Sequence, residues 1–197
     1  MRRTVDSEAP HLGGFMRVAT IAPEQMTPEQ RSAHDEVVAG VRGRLPAPMR
    51  AWIHSPEMAG HAQKLGAHLR YGTSLPPTLS ELAILVTARY WTSHFEWYAH
   101  KRDGLKAGLD PAVITAIATR REPVFADPAQ SIVYQYSRTL HEKKAIPQSL
   151  HDAAVATLGE RGVVELVGIL GYYALVSMTL NAFDIGLPEN EPIELQD

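Results

Sequence analysis

Thr78-Leu79-Ser80-Glu81-Leu82-Ala83-Ile84-Leu85 (78–85) and Ser93-His94-Phe95-Glu96-Trp97-Tyr98-Ala99-His100 (93–100) flank the short joint Trp91-Thr92. Each segment opens with a hydroxyl residue and carries glutamate three places later. That is the pattern of a capping box, in which cap and glutamate side chains satisfy each other's backbone N–H groups. The spacing predicts helices over 79–91 and 93–107, folded back on one another by the turn between them.

Outward from this hairpin, proline marks further helix starts. Thr27-Pro28-Glu29-Gln30, Ser55-Pro56-Glu57, Asp110-Pro111 and Asp127-Pro128 each place an oxygen acceptor before proline. The acceptor takes an orphaned N–H, and proline at the first helical position gives up a donor that would have had no partner. Gly40, Gly72, Gly108 and Gly159 stand where helices should stop. Helices are therefore expected near 28–40, 56–71, 111–118, 128–143, 148–158 and 161–183, with loops at 43–49 and 120–126. No alternating β-branched run bounded by hairpin turns occurs, so the expected class is all-α. Glu81-Leu82-Ala83-Ile84-Leu85 has an echo in Glu165-Leu166-Val167-Gly168-Ile169. The echo fits a duplicated helical unit, and it fits equally the commonness of Glu-Leu ahead of an apolar run.

The chain has 197 residues, a net charge of −3, 45 % hydrophobic residues, nine histidines and no cysteine. Its length suits one core, and its mild acidity supplies no basic patch for nucleic acid or an anionic membrane. Zero cysteine removes disulfides, thiolate metal sites and thiol nucleophiles together. Residues 1–16 hold Arg2 and Arg3 with no apolar run behind them, which is not a secretory signal, and read as a flexible arm. The 166–183 run is uncharged over about the length of a membrane span. Gly168, Gly171, Ser177, Thr179 and Asn181 inside it favour a helix buried in a core or an oligomer. A cytoplasmic protein with no membrane partner is expected.

Polar and aromatic residues peak together at 89–100, which contains Arg89, Tyr90, Trp91, His94, Trp97 and Tyr98. Glu96 and His100 are i, i+4 on one helix, so their side chains meet. A carboxylate beside an imidazole fixes its tautomer and raises its proton affinity, which suits His100 to proton transfer near neutral pH. The turn at Trp91-Thr92 brings Glu81 toward His100 as a second carboxylate. Capping alone also accounts for Ser93, Glu96 and Glu81, and a structural role for His100. His61 and His68 share a helix face and, with Glu96 or His100, would make a His/carboxylate metal set. Neither His-Glu-x-x-His nor the Glu-x-x-His pair of di-iron bundles occurs, so no metal is assigned. His34, His141 and His151 are expected to face solvent. There is no phosphate-binding glycine loop, Gly-x-Ser-x-Gly elbow or dinucleotide fingerprint.

The ordered set Glu81-Leu82-Ala83-Ile84-Leu85, Phe95-Glu96-Trp97-Tyr98-Ala99-His100 and Ala107-Gly108-Leu109 resembles the carboxymuconolactone decarboxylase family, of the alkylhydroperoxidase D-like superfamily. Gly171-Tyr172-Tyr173 and Leu180-Asn181-Ala182-Phe183 extend the likeness to about residues 17–188. In redox members of that superfamily a glutamate precedes Cys-x-x-Cys and a histidine. Here Glu81 and His100 match, while the cysteine positions hold Ser93 and Glu96. Thiol peroxidase and disulfide reductase chemistry is thereby out of reach.

The resemblance implies an alkylhydroperoxidase D-like helical bundle over 17–197, assembled as trimers or hexamers with sites near subunit interfaces. It further implies a cofactor-free decarboxylation of a small lactone carboxylate. His100 would protonate carbon, Glu96 would be its partner or a second acid–base group, and Glu81 would orient the pair. Ser93 or Tyr90 would donate to a substrate oxygen, Arg89 would anchor the carboxylate, and His94 and Trp97 would complete the substrate contacts. An isomerase or lactone hydrolase could use the same groups. A catalytically silent helical oligomer, acting as a small-ligand binder or scaffold, is the alternative of another class.

Overall fold

Proline opens five of the eight α-helices in the computed structural model, which describes residues 16–40 and 43–196. In chain order the helices are α1 Pro28–Ala39, α2 Met49–Trp52, α3 Pro56–Tyr71, α4 Pro77–Tyr90, α5 His94–Lys106, α6 Pro111–Ala118, α7 Pro128–Lys143 and α8 Gln148–Ala182. A 3-10 turn at Pro23–Gln25 precedes α1, and among the described residues all regular structure is helical. The expected arm at 1–16 lies, apart from Met16, outside the described residues.

The proline-led starts follow the caps in three cases. Asp110 accepts from Ala112 N at 2.7 Å and Asp127 from Ala129 N at 2.9 Å. Thr27 forms a full capping box with Gln30, at 3.3 and 3.0 Å. Ser55 makes no such bond. The two boxes expected in the central hairpin are absent. Helix α4 starts at Pro77, one residue before Thr78, whose hydroxyl instead donates to Ala107 O at 2.8 Å. Ser93 holds the N-cap position of α5, but its side chain caps nothing. Both glutamates are therefore free of capping duty. The loop expected at 43–49 runs directly into the one-turn helix α2. Gly159 at φ 72° and ψ 164° interrupts α8 between the two segments expected there.

Helix α4 lies at the centre: every residue from Leu79 to Arg89 is buried, and α5, α7 and α8 pack against it. Leu82, Leu85, Leu166 and Ile169 are fully inaccessible at this junction. Burying each such side chain is worth about 1.5–3 kcal/mol. Among the described residues α8 alone is long and apolar enough to cross a membrane, and 61 % of that window is buried against the other helices.

Two glycines let helices approach closely. A Cβ on Gly104 of α5 would meet Leu109 Cδ1 at 2.9 Å, Leu85 Cδ1 at 3.4 Å and Glu81 Cβ at 3.7 Å. A Cβ on Gly66 of α3 would stand 2.1 Å from the Tyr172 hydroxyl of α8. The last residues lie back along α4 and α5. Glu194 accepts from Trp97 Nε1 at 3.3 Å and Lys101 Nζ at 2.6 Å, and Gln196 O accepts from Arg89.

Candidate active site

Glu96, His100 and Asp103 follow i, i+4, i+7 spacing along α5, so they share a face. That face lines a cavity of about 170 Å³, together with Arg70 of α3 and Tyr172 and Tyr173 of α8. Glu81 of α4 lies beneath His100, where the close approach at Gly104 brings the two helices together.

His100 is 6 % exposed and sits between two carboxylates. Its Nδ1 is 2.7 Å from Glu81 Oε2, and its Nε2 is 3.2 Å from Glu96 Oε2. The Glu96 contact is an ion pair lying off the hydrogen-bond direction. Arg70 closes the network. It donates to Glu81 Oε1 at 2.9 Å and to Asp103 Oδ2 at 2.6 Å, and its Nη1 lies 3.1 Å from His100 Nδ1. Arginine can only donate, so Nδ1 cannot both receive from Arg70 and give to Glu81. The shorter contact assigns the proton to Nδ1, donated to Glu81. Should that proton leave, Arg70 is placed to donate to the bared nitrogen.

Burial alone would lower the His100 pKa. The hydrogen bond that His100 donates to Glu81, and the negative charges of Glu81 and Glu96 beside the ring, outweigh it and raise the pKa above the usual imidazole value. Burial likewise works against the charge on Arg70, while Tyr173, Glu81 and Asp103 more than restore it. The Tyr173 ring stands edge-on to His100, with centroids 4.9 Å apart. An imidazole inclined toward its charged form thus lies at the wall of a small cavity, flanked by two carboxylates.

The structure brings together Glu81, Glu96 and His100, and it separates other expected members. Arg89 and Tyr90 line a different cavity, between α4, α6 and α7. Eight residues carry a helix about 80° past two full turns, so Arg89 does not share a face with Glu81. Arg89 donates instead to Thr92 Oγ1 at 3.1 Å and to Gln196 O. Trp97 and His94 do not line the cavity at His100; Trp97 points to Glu194. Ser93 is fully buried, and its hydroxyl has no hydrogen-bond partner among the described residues. His61 lines a groove between α3 and α8, apart from Glu96 and His100. His141, expected in solvent, bonds Thr87 and stacks on Tyr90. Asp103 was within reach of sequence reading through the i+3 step from His100. Arg70 and Tyr173 come from helices distant in sequence and leave no local signal.

No family model matches the sequence, and no curated protein matches it. Among solved structures, the chain is similar to the crystal structure of the alkylhydroperoxidase AhpD core, an uncharacterized peroxidase-related protein from Ralstonia eutropha JMP134. The TM-score is 0.73 over 90 % of this chain and 94 % of that one, at 13 % identity. The chain has the AhpD-core fold. At that identity the likeness is one of architecture, with the all-helical bundle expected from sequence. Within this AhpD-like fold the present chain holds no cysteine, and the groups around His100 include no thiol.

Proposed function

We propose that this chain is a cofactor-independent acid–base enzyme acting on a small carboxylated lactone or unsaturated acid, with decarboxylation as the leading reaction. One observation carries the reading: His100, inclined to hold its proton, is buried between Glu81 and Glu96 at the wall of a small, partly open cavity. The cavity has room for roughly five or six waters, the scale of a small acid.

In such a reaction the bond from the ring carbon to the carboxylate breaks, and its electron pair moves into the conjugated lactone carbonyl as CO₂ departs. Glu81, Glu96 and Asp103 place negative charge around the site. Arg44, Arg70 and Arg102 line the same cavity and are placed to hold the substrate's carboxylate groups. His100 then protonates carbon through Nε2, with Glu96 beside that nitrogen to return the proton. Glu81 holds the ring through Nδ1, and Arg70 fixes Glu81. Isomerisation would use the same groups without loss of CO₂.

The test is CO₂ release and absorbance change on a panel of carboxymuconolactones and dienoic acids, with wild type and His100→Asn. Turnover by wild type that falls at least about a hundredfold in His100→Asn supports the reading. Equal turnover by both removes His100 from the chemistry. Tight binding without turnover by either favours a silent binding protein.

Self-association as a trimer or hexamer belongs to the same proposal. Val164, Val167, Leu175 and Met178 of α8 are exposed along one face, with Met58 and Leu65 of α3 beside it. An apolar stripe of this kind suits contact with a second copy. Light scattering checks it: a monomeric mass at micromolar concentration overturns it. A cytoplasmic location is part of the same reading.

A further inference from the structure

The second cavity, about 250 Å³, lies between α4, the end of α6 and α7, and uses none of the residues around His100. Its walls carry Arg89, Arg120, Arg121 and Arg138 against Glu122 and Glu142, an excess of two positive charges in a chain of net charge −3. Both glutamates are taken by Arg138. Among the described residues neither Arg120 nor Arg121 has a carboxylate in ion-pair range; Arg121 Nε donates to Thr119 Oγ1 at 3.0 Å.

His141 adds no charge. Thr87 spends its single hydroxyl proton on Ala83 O, so at 2.9 Å it accepts from His141 Nε2–H. Burial, with Lys144 nearby, lowers the His141 pKa to about 4, and the ring is neutral at physiological pH. It stacks on Tyr90, with centroids 4.8 Å apart, and together they form a flat aromatic wall.

The backbone supplies an independent observation. Arg120 follows the last turn of α6 at φ 56°, in the left-handed region. Glycine fits that position without steric cost, whereas a side chain there is strained. Arginine stands at the one place at the end of this helix where the fold would prefer no side chain, and it faces the cavity.

We infer that this cavity is a binding site for a small organic or inorganic dianion, held by Arg120 and Arg121 against the Tyr90–His141 wall. Two guanidiniums unmatched by carboxylate are suited to two negative charges, and paired N–H donors match either carboxylate or phosphate oxygens. The site is independent of the acid–base chemistry at His100.

Calorimetric titration of the full chain with succinate and with inorganic phosphate, at constant ionic strength, tests the inference. Saturable binding of either is expected, and the probe that binds identifies the dianion as carboxylate or phosphate. Loss of one charged donor should weaken it about tenfold or more in Arg120→Gly and in Arg121→Ala. His100→Asn should bind as wild type does. Arg120→Gly should also melt at the same temperature or higher, since it relieves the backbone. Absence of binding by both probes overturns the inference. So does binding that survives both arginine substitutions, or that disappears in His100→Asn.

Discussion

His100 Nδ1 and Glu81 Oε2 stand 2.7 Å apart across the α4–α5 hairpin, while the opposite nitrogen of the same ring faces Glu96 at 3.2 Å. The imidazole is thus held from both ends by groups that favour its charged form. Its proton is stabilised where water does not compete, and the consequences are measurable.

The stability of the protein should fall as pH rises above neutrality. A histidine whose folded pKa is raised contributes stabilisation that is complete below its unfolded value, near 6.5. That contribution is lost as pH climbs through the folded value. Urea unfolding between pH 6 and 9 should show this decline in wild type and a flatter profile in Glu81→Gln. An unchanged slope in the variant would remove Glu81 as the cause.

Arg70→Ala should be among the most damaging substitutions outside the apolar core. It leaves Glu81 and Asp103 without their shared cation, and breaking a buried pair costs about 3 kcal/mol or more. Arg70→Lys should recover only part of that, because one ammonium cannot span both carboxylates in the arginine geometry. Chemical denaturation of the two variants measures both effects.

Ser93→Ala should be neutral or slightly stabilising. The hydroxyl is buried with no hydrogen-bond partner among the described residues, and burying such a group costs about 1–3 kcal/mol. Were Ser93 a working helix cap, the same change would destabilise by about 1 kcal/mol. The sign of the shift in unfolding midpoint decides between them.

On the acid side, His141 should dominate the histidine contribution. Burial and Lys144 lower its pKa to about 4, so it favours the folded state above its unfolded value, near 6.5. That benefit declines as pH falls from there toward 4. His141→Phe, which keeps an aromatic ring against Tyr90, should give a shallower loss of stability between pH 6.5 and 4 than wild type.

The helical class was readable because proline and cap residues act within a few positions of each other, as at Asp110-Pro111 and Asp127-Pro128. The Glu81–Glu96–His100 contact was readable for a related reason: one helical hairpin with a short turn contains all three. The same local logic offered capping as one reading of Thr78 and Ser93, and neither hydroxyl caps its helix, since tertiary contact decides where a hydroxyl points. Thr78 reaches Ala107, and Ser93 is enclosed in the core. Arg89 was expected as the anion anchor because it lies two turns on from Glu81 and roughly on its side, but it lines the other cavity, whereas Arg70 arrives from α3 through packing that no periodicity reports.

That packing depends on Gly66. One turn before Arg70, α3 meets the Tyr172 hydroxyl so closely that a single methyl group would have to displace it. The guanidinium is therefore aimed by an empty position, and the electrostatics of the site depend on the absence of an atom elsewhere. Comparison of related chains by their charged residues alone would overlook this. A sequence keeping Arg70, Glu81 and His100 but carrying alanine at position 66 would possess the ingredients of the site without its alignment.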